Sequence, residues 1–138
     1  MADLAQRTNQ TDVMSGLLRA LADRGVASFT AAFGRVDAGF LAVYTKLKEM
    51  APRYGLAVSF VVCPDMHGIS DTCQEALGFA AYVHLVRSER YQYGLNVEFI
   101  QSVVDYASLP GDEALYRELA DAFIGFLPGD PGLQAGEG

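Results

Sequence analysis

The chain predicts an α/β domain: a small, mostly parallel sheet of about three strands, 26–33, 56–63 and 95–101, with flanking helices. Three observations carry this prediction. Leu56–Cys63, LAVSFVVC, is a continuous valine-rich run between breakers, the mark of a strand buried on both faces. The segments around it place apolar residues at the three-and-four spacing of amphipathic helices. The chain also repeats itself. Shifted by 39 residues, segment 39–61 lies on 78–100 with eight identities in 23 positions, among them Tyr-Gly-Leu-x-Val-x-Phe in both copies. If 56–63 is a strand, the repeat makes 95–101 one too. The competing reading is an all-α bundle, resting on the stripe Phe29, Phe33, Val36, Phe40, Tyr44, Leu47 and Ala51.

Residues 1–10 are polar and are expected to be a flexible N-terminus, ahead of a single domain over 11–127. Thr11–Gly25 reads as the first helix, with Val13, Met14, Leu17, Leu18 and Leu21 on one face and Thr11 as cap. Val26–Phe33 is a short apolar run bounded by glycines. Asp37–Ala51 is a helix stopped by Pro52. Asp71–Arg90 reads as one long helix opened by a Thr72-x-x-Glu75 capping box. Leu95–Ile100 alternates like a strand, although Val97, Ile100, Val104 and Ala107 also fit a helix starting at Asn96. Pro110-Gly111 breaks the chain before the clearest helix, Asp112–Leu127, and 128–138 reads as a flexible tail.

In open parallel sheets ligands sit beyond the carboxyl ends of the strands. That edge would gather Arg35, Asp37, Cys63, Asp65, His67, Ser102 and Asp105, with the Cys63 and Ser102 alpha carbons within about 12 Å. Cys63, Asp65 and His67 are the catalytic candidates, a thiol with a nearby base. Arg35, Asp37, Ser102 and Asp105 are the binding candidates. The Cys63-Pro64-Asp65-Met66-His67 spacing matches no metal pattern, so no metal is expected. The plainer reading makes Cys63 the buried end of a core strand and the rest a surface loop. Tyr82, Tyr91 and Tyr93 gather near a helix end, as core rim or interface.

Composition narrows the function. The formal charge is −7, and it is unevenly placed: residues 1–69 carry a net +1 and residues 70–138 a net −8. This speaks against nucleic acid and anionic membrane as partners and allows a basic protein partner. No apolar run approaches the about 18 residues of a membrane helix. Two cysteines make no disulfide framework, and a cytoplasmic setting is expected. Phosphate-loop, dinucleotide, nucleophile-elbow and zinc-protease motifs are all missing, and no cofactor is expected. The expectation is a small acidic interaction or regulatory module without catalysis, forming a homo-oligomer through its open sheet edges. The alternative is a small enzyme or metal-binding domain at the Cys63–His67 edge.

Overall fold

A computed structural model describes residues 6–30, 34–88, 92–126 and 134–135. In chain order the elements are β1 (Gln6–Thr8), α1 (Gln10–Asp23), β2 (Val26–Thr30), α2 (Arg35–Tyr54), β3 (Leu56–Val58), α3 (Asp71–Tyr82), β4 (Val86–Ser88), β5 (Gln92–Leu95), α4 (Val97–Val103), α5 (Glu113–Phe126) and β6 (Gln134–Ala135). A short 3-10 turn, Tyr106–Ser108, links α4 to α5. The chain is therefore α/β, and the all-α alternative is set aside.

α1 is the axis of the core. Asn9 caps it two residues earlier than the sequence suggested, because its side-chain oxygen accepts the Asp12 N–H at 2.8 Å. Val13, Met14, Leu17, Leu18 and Leu21 are all buried, and α3, α4, α5 and β2 pack around the helix. The approach of α5 depends on Gly16. A Cβ there would stand 2.2 Å from Tyr116 Cε1, so only glycine leaves room for the ring. α2 lies against α5 and β3. It starts at Arg35 and runs through Pro52 to Tyr54, where Pro52 was expected to stop it. A proline this close to the end forfeits one backbone bond, while Met50 and Ala51 beside it are buried.

The sheet differs most from expectation. It is not mostly parallel. β4, β5, β2 and β6 form a four-stranded sheet in that order, and every neighbouring pair is antiparallel. Only β1 and β3, a separate two-stranded pair, run parallel. The cause lies between Tyr82 and Leu95. The expected helix 71–90 ends at Tyr82, and His84 turns the chain with a left-handed φ of 68°. β4 then pairs with β5 across a connection too short for anything but an antiparallel hairpin.

The strand expected at 95–101 is a correction in the same region. Leu95 ends β5 and Val97 opens α4, so the helical period through Val97, Ile100 and Val104 wins over the alternation. The two halves of the 39-residue repeat thus carry different structure. Residues 39–54 lie within α2, whereas 78–93 span the end of α3, β4 and the start of β5. The strand expected over 56–63 pairs only at Leu56–Val58. Beyond it Phe60 and Val62 are buried while Ser59, Val61 and Cys63 are exposed, so this run has one buried face rather than two. Of the strand at 26–33, Val26–Thr30 forms β2, and 31–33 lie outside the described residues. Both ends hold strand residues where flexible chain was expected: Gln6–Thr8 pairs with β3 and Gln134–Ala135 with β2. Among the described residues no helix is long and apolar enough to cross a membrane.

Candidate functional site

Of the expected edge, the start of α2 around Asp37 meets the segment that leads into α3. Residues 63–70 are the later part of the connection from β3 to α3, and they close over the N-terminus of α2. Gly34 and Gly68 both hold positive φ, 75° and 79°, and touch backbone to backbone. Side chains at these two points would be strained by φ. Beneath this contact lies Asp37, in the first turn of α2 and fully buried. Its carboxyl accepts the Ser70 backbone N–H at 2.8 Å and the Gln74 side-chain amide at 3.1 and 3.2 Å. Ser70, also buried, caps α3 by accepting the Cys73 N–H at 3.4 Å. The expected Thr72–Glu75 capping box is not used. Thr72 donates to the Val61 carbonyl instead, and Glu75 accepts from Gln10 at the start of α1.

The catalytic candidates sit on the outside of this knot. Cys63 is exposed, not the buried strand end considered from the sequence, and Asp65 and His67 are exposed with it. Asp65 shapes the loop. Its carboxylate accepts the backbone N–H groups of His67 at 2.8 Å and Ile69 at 3.0 Å, and its own N–H donates to the Ile69 carbonyl. Those backbone donors hold its carboxyl below the usual carboxylate range. Cys73 is the opposite case. Burial, with the nearby Asp37 carboxyl adding to it, pushes its thiol well above the ordinary range, so it is an inert core thiol. Arg35 opens α2 on the exposed side.

Ser102 and Asp105 belong to another part of the molecule. Ser102 lies within α4 and donates to the Phe99 carbonyl, and Asp105 caps the 3-10 turn by accepting the Ala107 N–H at 3.0 Å. Neither ends a strand, so the reasoning that set Ser102 beside Cys63 loses its premise. Their neighbourhood is the C-terminal end of α1. There Asp23 accepts from Arg19 at 3.0 Å, from the Gln101 amide at 2.9 Å and from the Tyr106 hydroxyl at 2.9 Å. Arg19 also donates to the Gln101 and Val104 carbonyls and lies 5.0 Å over the Tyr106 ring. Partial burial acts to raise the Asp23 carboxyl, and the bonds from Gln101, Tyr106 and Arg19 outweigh it and lower it. Tyr106 moves upward, through burial first and then its bond to Asp23. Arg19, Asp23 and Tyr106, which make this network, were not singled out from the sequence. An i, i+4 Arg19–Asp23 pair on α1 was the one readable signal.

In a third region the sequence nominated Tyr82 but none of the residues exposed beside it on α3 and α4. α4 and the end of α3 leave large apolar side chains in solvent: Tyr82 is 82% exposed, Val103 52%, Phe79 43% and Phe99 42%. Beside them a shallow hollow of about 410 Å³ is lined by Arg87, Leu95, Asn96, Val97, Glu98 and Phe99. Of the tyrosine cluster, Tyr82 is thus an exposed residue. Tyr93 packs on Phe29 with ring centres 5.6 Å apart, and Tyr91 lies outside the described residues. Among the described residues no three His, Cys, Asp or Glu side chains are grouped to hold a metal ion. No protein-family model matches this chain, and neither a curated protein nor a solved structure matches it significantly.

Proposed function

We propose that the chain is a non-catalytic protein-interaction or regulatory module whose partner presents a basic surface. One observation carries the reading. The carboxyls at the expected site are committed to holding backbone, while large apolar side chains around α3 and α4 are left in solvent on the acidic half of the chain. Asp37 binds the Ser70 N–H, Asp65 the His67 and Ile69 N–H groups, and Asp105 the Ala107 N–H. Exposed aromatic side chains on a small domain mark contact surfaces, and a field of one sign steers partners of the other. The reading includes a cytoplasmic setting and self-association, the latter checked by light scattering over a dilution series.

Selection from an unbiased peptide display library tests it. The expected binders are enriched in Lys and Arg over Asp and Glu, and lose affinity steeply as salt rises. Binders without charge bias, or affinity indifferent to salt, sink the proposal.

A second reading is a small enzyme that uses Cys63 as nucleophile and His67 as base. What favours it is that both side chains are exposed on one loop. Alkylation of Cys63 decides it. A rate above that of an ordinary exposed thiol, lost in His67→Asn, supports the enzyme; an ordinary rate removes it.

A further inference from the structure

The segments that carry the exposed apolar residues of α3 and α4 are tied together where the first helix is left and the second begins. Asn96, the residue before α4, donates its backbone N–H to the Leu85 carbonyl at 3.0 Å and its side-chain amide to the His84 carbonyl at 2.5 Å. His84 and Leu85 follow α3 almost directly, so the chain leaving α3 is bonded to the residue that precedes α4. Phe79 and Tyr82 stand three residues apart on one helix, and Phe99 and Val103 four apart on the other. Each pair makes a ridge. The hollow lined by Leu95, Val97 and Phe99 adjoins the second ridge and is large enough for a buried anchor side chain.

The charges around this surface have one dominant sign. Among the described residues of α3, β4, β5 and α4, the exposed acids are Asp71, Glu75 and Glu98 and the exposed base is Arg87. Arg87 is turned onto the Asn96 side-chain oxygen. The outer strand here, β4, is three residues long and carries that arginine, a poor template for strand addition. Two helical ridges take a helix between them. A second copy of this chain would bring acid against acid.

From this we infer that the α3–α4 junction is a docking surface for a short amphipathic helix with Lys or Arg flanking its apolar stripe. The inference rests on the interaction reading and names its site and partner chemistry. Large exposed side chains carry most of the energy of such contacts, so Tyr82 and Phe99 are the expected anchors.

The probe is a fluorescein-labelled Leu/Lys amphipathic peptide of about five helical turns, with a twin in which Glu replaces Lys. Anisotropy is measured against the full chain. The Lys peptide binds and the Glu twin does not. Tyr82→Ser and Phe99→Ser, both exposed and folded by circular dichroism, each weaken binding about tenfold. Glu98→Lys weakens it and flattens the salt dependence. Val61→Ser and Met66→Ser, exposed on the β3–α3 connection, leave it unchanged. Loss confined to those control variants, or binding of both peptides alike, overturns this site while the interaction reading stands. Binding of neither peptide overturns the inference, and the display selection then decides the broader reading by itself. A concentration-dependent dimer abolished by Tyr82→Ser replaces the helix with a second copy and overturns it too.

Discussion

Asp37 and Thr8 are both polar, both fully buried, and opposite in every other respect. Asp37 stands where the loop 63–70 meets α2 and α3, and it gathers a backbone N–H and a side-chain amide from 33 and 37 residues further along the chain. Thr8 ends β1 in the small parallel pair, and its hydroxyl has no hydrogen-bond partner among the described residues. Its backbone carbonyl, by contrast, takes both the N–H and the hydroxyl of Ser59. A buried polar group stabilises only when its partners replace the water it lost. The first site is a built polar joint, and the second is an incomplete one. The comparison also reassigns Asp37, which the sequence nominated as a binding residue and the structure uses to fix two helix starts.

The largest effect expected from this contrast is at Asp37. Asp37→Ala strands the buried Ser70 N–H and the Gln74 amide, at a cost of about 3 kcal/mol. The urea midpoint should fall with no change in the slope of the transition. Asp37→Asn should fall between, since one oxygen still accepts from Ser70 while the new amide faces the Gln74 amide, donor to donor. If the alanine variant matches the wild type, the joint is not what sets the loop.

A middle case sharpens the comparison. The Asp23 network is well partnered and partly solvent-exposed, so its contribution should be smaller and visible through pH. Its carboxyl is held below the ordinary value, so the stabilisation is present above the unfolded value and is lost as pH falls below about 4. Tyr106 is shifted upward, so its share is present at neutral pH and is lost as pH rises above about 10. Asp23→Asn should cost about 1 kcal/mol at neutral pH and flatten the acid side of the stability profile. An unchanged acid limb would show that other carboxyls govern it.

These three regions also show what the sequence made legible. Helices with clean apolar spacing were readable: the stripe of Val13, Leu17 and Leu21 is the core face of α1, and Leu115, Leu119 and Phe123 are buried on α5. The start of α2 does meet the segment before α3, but through the Gly34–Gly68 contact and the Asp37–Ser70 bond rather than through the parallel strand ends from which their nearness was argued. The β4–β5 hairpin was hidden. The chain leaves α3 for β4 through a left-handed position at His84 rather than through a glycine or proline, so no breaker interrupted the helical pattern before Leu85. Phe99 was misplaced for a related reason. Five residues of alternation imitate a strand, and only the longer period through Ile100 and Val104, both buried, distinguishes α4. The exposed apolar surface at α3 and α4 followed from that error, because a residue assigned to a strand face is not looked for on a helix ridge.

The smallest expected effect has the opposite sign. Thr8→Val replaces a buried hydroxyl by a methyl of nearly the same volume. In most cores that exchange is not neutral, because the hydroxyl was bonded and its partner is stranded. Here the hydroxyl has nothing to strand among the described residues, and the Thr8 carbonyl keeps both of its bonds from Ser59. What the substitution removes is the cost of holding an unpaired hydroxyl away from water, so the variant should gain about 1 kcal/mol and melt about 3 °C higher. Thr8→Ser supplies the other arm. It keeps the unpaired hydroxyl and deletes the buried methyl, so it should lose about 1 kcal/mol through the cavity it leaves. If valine instead destabilises and serine does not, the hydroxyl has a partner after all, and Thr8 joins Asp37 as a completed joint rather than standing as its contrast.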